Sequence, residues 1–149
     1  MADVMALLED DERRTEAMAT ELQERFPDAA TVFFDNAPDM VEWLRDNLPA
    51  VRLLCLDHDL GPTRQRDGKL FDPGIGRDVV DFLTTQQPSC PVLIHSTNTR
   101  AVSGMLFALE EAGWSASDLT PFDDLAWVKL LWSERVAALL SESQASGGR

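Results

Sequence analysis

Three clusters of polar side chains each follow an apolar run, and their residue types suit the handling of anions and protons. The run "LLCL" ends in Asp57, His58 and Asp59. "VMALL" ends in Glu9, Asp10 and Asp11, and "PVLI" ends in His95, Ser96, Thr97 and Asn98. His58 and His95 are the two histidines of the chain. Carboxylates gathered at one site repel each other, so they must spread apart, take up protons or share a cation. A hard divalent ion, Mg²⁺ or Mn²⁺, suits oxygen donors and keeps water positions that a phosphate can replace. Imidazoles titrate near neutrality and suit proton transfer.

Each cluster also has a plainer structural reading. Asp10 or Asp11 caps the next helix. His58 is a loop histidine, and His95 is a core histidine bonded to backbone. Ser96, Thr97 and Asn98 form a turn or an N-cap. The functional reading gains from coincidence, because all three clusters must land on one edge of the fold.

The elements that would place them there are read from periodicity. Continuous apolar runs at 4–8, 30–34, 51–57 and 91–96 suit strands buried on both faces. Between them the spacing turns helical. Met18, Leu22 and Phe26 recur every four residues in Glu12–Arg25, as do Met40, Leu44 and Leu48 in 37–48. Further helices are expected over 76–86, 101–114 and 123–140, the last with Asp123 as N-cap. "SASDLTPF" leaves room for a short fifth strand, and 61–76 reads as an irregular loop long enough to be functional. The domain is expected to span 1–140, and "SESQASGGR" (141–149) to be a disordered tail. Five alternating strand–helix units mean an α/β fold, a parallel sheet with helices on both faces. Ligands of such sheets bind at the carboxyl ends of the strands.

Composition narrows the partners. The 149 residues carry a net charge of −13, which excludes a broad duplex nucleic-acid surface. No apolar run reaches the ~20 residues that cross a membrane, and the acidic N-terminus does not read as a signal peptide, so a cytoplasmic location without membrane contact is expected. Cys55 and Cys90 sit in apolar surroundings without metal or disulfide spacing. Arg64, Arg66, Lys69, Arg77 and Arg100 cluster after the apolar runs.

At these residues the sequence resembles a response-regulator receiver domain over about residues 3–140. "VMALLEDDERR" is similar to the first strand and acidic pair of that family, at Glu9 and Asp10. "LLCLDHDLG" resembles its third strand, with Asp57 as phosphoacceptor and Asp59 offering a backbone carbonyl to the metal. "PVLIHS" resembles its fourth strand, with Ser96 as the hydroxyl residue. One departure is plain: where the family has a lysine before a proline, Thr120 precedes Pro121. "LDHDLG" with "HSTN", Met105 and an arginine after the acids (Arg14, or less well Arg13) resembles a narrower branch, the receiver-like domains that process cyclic phosphates. The resemblance implies a flavodoxin-like three-layer sandwich, with a five-stranded parallel sheet of order 2-1-3-4-5. It also implies a divalent ion on Glu9, Asp10, Asp57 and Asp59.

Hydrolysis of a cyclic phosphodiester needs charge stabilisation on the phosphoryl oxygens, a positioned water and a proton for the leaving alkoxide. The metal would supply the first. Arg14 or a loop arginine (Arg64, Arg66) would add a bidentate contact, and Ser96 and Asn98 would bind phosphate or ribose oxygens. His58 and His95 would divide acid and base roles beside Asp57. The ligand would be a small phosphorylated molecule, a cyclic nucleotide or a cyclic-phosphate end. The competing reading is signalling, in which Asp57 accepts a phosphoryl group or the domain docks a protein partner. The docking face would then be the fourth helix and fifth strand, with Trp114 either part of that face or core. Alternation along a strand adds a constraint: if Asp57 and Ser96 face the site, His58 and His95 start toward the opposite face.

Overall fold

The structure, a computed structural model, describes residues 3–147. Five strands pair in parallel in the order β2-β1-β3-β6-β7, where β1 is Val4–Leu8, β2 Ala30–Phe34, β3 Val51–Leu56, β6 Val92–His95 and β7 Ala116–Leu119. Counting only these five, the order is the flavodoxin-like 2-1-3-4-5. A separate antiparallel hairpin, β4 (Arg64–Arg66) and β5 (Lys69–Phe71), lies between β3 and the third helix.

The apolar runs form strands because both of their faces have something to cover. Ala6, Leu8, Leu54, Leu56, Val92 and Ile94 pack on one core with α2 (Ala37–Asn47), α3 (Gly76–Leu83) and α4 (Thr99–Glu111). Met5, Leu7, Leu53, Cys55 and Leu93 pack on a second core, against α1 (Glu12–Arg25) and α5 (Ser133–Gly147). The sheet is therefore a double-sided wall, and polar groups can appear only where its strands stop. Trp114 belongs to the first core; it is buried, and its indole N–H donates to the Leu83 carbonyl at 3.0 Å. Burial pushes the Cys55 thiol up, and the Cys90 thiol is pushed up to about 12. Among the described residues no helix is long and apolar enough to cross a membrane.

The helix starts settle which polar residues are caps. Asp11, not Asp10, caps α1, accepting the backbone N–H groups of Arg13 and Arg14. Asn36 caps α2 and Asn98 caps α4. Asp123 is not the cap expected for the last helix. Asp123 (φ 47°) and Asp124 (φ 54°) both occupy the left-handed region, in a turn whose Asp123 carbonyl accepts from Ala126 N–H. A π-helical turn, Val128–Trp132, then leads into α5. The backbone of α5 stays helical from Ser133 to Gly147, past residue 140, where the tail was expected to begin; residues 148 and 149 lie outside the described residues.

The segment 61–76 is not an irregular loop throughout. Its β4–β5 hairpin turns at Asp67 (φ 54°) and Gly68 (φ 76°), two left-handed residues that suit a two-residue turn. The segment returns to the sheet at Gly76, whose N–H donates to the His58 carbonyl at 2.8 Å. A Cβ at residue 76 would collide with the Asp57 carbonyl oxygen and lie 2.9 Å from His58 Cα. Gly76 thus lets α3 start directly against the end of β3. Gly76→Ala is expected to destabilise the chain by about 1–3 kcal/mol through overpacking. A thermal melt checks this, and an unchanged melting temperature would contradict the close approach.

Candidate functional site

The register places the site. Leu8, Leu56 and Ile94 are paired neighbours on β1, β3 and β6. One residue further out along the same strands come Glu9, Asp57 and His95. Asp57 N–H donates to the Leu8 carbonyl at 3.0 Å, and Glu9 N–H donates to the Phe34 carbonyl at 2.9 Å, so the ladder still holds at this row. Leu8, Leu56 and Ile94 face the first core, so Glu9, Asp57 and His95 face the second by alternation. All three are buried, and each offers one ligand atom within 4.8 Å of the others.

This row corrects the alternation expected from the sequence. Asp57 aligns with His95, not with Ser96, because β6 is offset to pair Leu56 with Ile94. His95 therefore shares the face of Asp57, while His58 and Ser96 fall in the next row.

Contacts divide the charge unequally. Glu9 Oε1 accepts from His95 Nε2 at 2.8 Å, and Oε2 accepts from Asp11 N–H at 3.0 Å. Arg14 Nη1 lies 3.8 Å from Oε1, its guanidinium 5.3 Å from the Trp127 ring centroid. Burial works to raise the Glu9 pKa. The His95 hydrogen bond and charge, the Asp11 N–H and Arg14 outweigh it, so the net shift is downward. Asp57 has less support: its Oδ1 accepts the His58 N–H at 2.7 Å. Burial first, then the charge of Glu9, pushes its pKa up to about 8, with Asp10 adding to the rise. Asp10 is also raised, by burial and then by Glu9. The row therefore favours negative charge on Glu9 and the protonated form of Asp57. Among the described residues, His95 Nδ1 is buried without a partner.

The other expected residues divide around this row. Asp10 lines a cavity of about 520 Å³ together with Glu9, at the carboxyl ends of β1 and β2. His58 is nearly buried, and its Nδ1 is 3.0 Å from the exposed carboxylate of Asp59. Ser96 Oγ accepts the Asn98 N–H at 3.0 Å, and Asn98 Oδ1 accepts the Ala101 N–H at 3.1 Å. Both therefore organise the start of α4. Arg14 reaches Glu9, whereas Arg13 pairs with Asp124 on the surface. Arg64 and Arg66 pair with Asp35 and Asp39.

Asp35 and Asn36 were missed, although they follow β2 in the same way that Glu9 and Asp10 follow β1. Both line the cavity. The signal was present: polar residues directly after an apolar run, the rule that found the other three clusters.

Comparisons with known proteins fit this geometry. A family described as the cyclic-phosphate processing receiver domain matches residues 5–111. Among solved structures, the phosphorylated cyanobacterial phytochrome response regulator RcpA is similar at TM-score 0.70 and 17% identity, over 95% of this chain and 96% of that one. The response regulator domain of Thermotoga maritima CheB is similar at 0.68 and 10%, over 97% and 98%. The Mn²⁺-bound form of response regulator Rcp1 is similar at 0.62 and 20%, over 92% and 94%. At these identities the likeness shows the fold. No curated protein sequence matches the chain.

The raised pKa of Asp57 makes a signed prediction. An aspartate that ionises near pH 4 when unfolded and at about 8 when folded favours folding fully below pH 4. That contribution is lost as pH rises through about 8. In chelator, Asp57→Asn is therefore expected to melt higher than the parent chain at pH 8, with the gap closing toward pH 4. A variant that melts lower at pH 8 would contradict the assignment.

Proposed function

The chain belongs to the cyclic-phosphate processing receiver family, and from that premise we propose that its strand-edge site binds a divalent cation and hydrolyses a cyclic phosphodiester. The observation that carries this reading is the buried convergence of Glu9, Asp57 and His95 beside Asp10. The donor set fits a hard cation, because burial first, and then the charge of Glu9, disfavours the bare Asp57 carboxylate, a penalty that a bound cation relieves. Glu9, Asp10 and Asp57 would hold Mg²⁺ or Mn²⁺, with the Asp59 main-chain carbonyl as the family resemblance implies. The Mn²⁺-bound Rcp1 structure supports a divalent ion on this fold. When bound, the ion neutralises charge on the phosphoryl oxygens and acidifies a bound water.

The remaining chemistry belongs to side chains of this chain. Arg14 is the guanidinium at the row and takes the place of the lysine that Thr120 replaces, offering a bidentate contact to phosphate oxygens. Lys129 borders a different surface pocket, with Glu21, Glu24 and Arg25. His95 is fully buried and bonded to Glu9, which suits it to holding that carboxylate in place. His58 is better placed for proton transfer, since its ring touches solvent and Asp59 orients it through Nδ1. Ser96 and Asn98 shape the phosphate side of the site through the α4 cap.

The signalling alternative rests on one observation: the similar structure of phosphorylated RcpA belongs to a protein that accepts a phosphoryl group. One experiment separates the two. With Mg²⁺, a nucleoside 2′,3′-cyclic phosphate is expected to turn over, and Asp57→Ala and His58→Ala to lose about 100-fold or more in kcat. Stable labelling by acetyl phosphate that disappears in Asp57→Ala, without turnover, would overturn the hydrolytic reading.

A further inference from the structure

The cavity that shares Glu9 and Asp10 with the acid row has walls of a definite chemistry. Its apolar part is Phe33 and Phe34, both half-buried at the end of β2. Thr15 and Asn36 add neutral polar groups. Two of its carboxylates already have cations: Arg64 Nη2 lies 3.0 Å from Asp35, and Arg66 Nη2 lies 3.0 Å from Asp39. Both arginines come from the β4–β5 hairpin and stack on Phe71, 5.4 and 4.6 Å from its ring centroid. The hairpin is thereby fixed beside the cavity.

Glu12 and Glu16 are different. They lie one turn apart on one face of α1 and line the same cavity, and neither side chain has a hydrogen bond or ion pair among the described residues. A wall of this kind accepts hydrogen bonds from hydroxyl and amino groups and repels anions. The aromatic part offers flat apolar surface. The volume of about 520 Å³ falls in the range of small-molecule sites.

We infer that this cavity takes the sugar and base of the ligand whose phosphate sits at the acid row, and that the ligand is a single nucleoside cyclic phosphate. This rests on the cyclic-phosphate reading above. The end of a nucleic-acid chain would carry a further phosphodiester on the same nucleoside, and that anion would meet the carboxylates of Glu12 and Glu16. A lone nucleoside presents hydroxyl and amino donors there instead.

Calorimetric titration of the full chain in Mg²⁺ with three probes tests this. The probes are a nucleoside 2′,3′-cyclic phosphate, a trinucleotide ending in the same group, and inorganic phosphate. The mononucleotide is expected to bind about tenfold or more tightly than either of the others. In Glu12→Gln/Glu16→Gln, two exposed positions on α1, its advantage over the trinucleotide should fall toward unity. A trinucleotide that binds as well as the mononucleotide overturns the inference and leaves the cyclic-phosphate reading standing. So does inorganic phosphate binding equally well, or a preference that the double variant keeps. Binding of none of the three overturns both.

Discussion

The structure depends on a collision of charge that the β-ladder makes unavoidable. Once Leu8, Leu56 and Ile94 are in register, the next residues on three adjacent strands must share one small dry space. Those residues are two acids and an imidazole. Glu9 keeps its charge because His95, the Asp11 N–H and Arg14 all favour the carboxylate. Asp57 has one backbone donor among the described residues, and burial, then the charge of Glu9, favours its protonated form. A divalent cation would reverse the balance, since it stabilises both carboxylates at once. The row thus brings together ligand atoms that could hold a cation.

Much of the surrounding fold serves to keep that row in place. Asp11 caps α1 and also donates its N–H to Glu9, so one short turn both starts the helix and holds the acid. Arg14, on the first turns of the same helix, is thereby fixed over Trp127 and beside Glu9. The Trp127 ring lies 5.5 Å from that of His95 and closes the second core over it. On the other side, Gly76 brings α3 close enough to bond the His58 carbonyl. A larger residue there would push away the main chain that carries both Asp57 and His58.

The strands, the helices and the identity of the polar clusters were legible in the sequence, because a strand buried on both faces reads as an apolar run and its end as an abrupt change to polar residues. The grouping of those residues was not. Whether Asp57 aligns with His95 or Ser96 depends on a one-residue offset between β3 and β6, and strand spacing along the chain carries no record of that offset. The start of the last helix was also illegible. Asp123 has the side chain of a cap, but it sits in a left-handed turn ahead of a π-helical stretch. The hairpin was legible and went unread: Asp67-Gly68 between Arg66 and Lys69 is a strong two-residue turn signal. The acid and amide after β2, Asp35 and Asn36, carry the same signal as Glu9 and Asp10, polar residues directly behind an apolar run.

Fold, family and acid row agree on a receiver-like domain with an arginine of the first helix, Arg14, beside its buried acids. The account turns on the proton that Asp57 holds when no cation is present. Calorimetric titration of Mg²⁺ into the chain at pH 7, in buffers of different ionisation enthalpy, counts protons released per ion bound. The account predicts about one proton, because the ion must displace it from Asp57. Binding without proton release, or no binding at all, would contradict it.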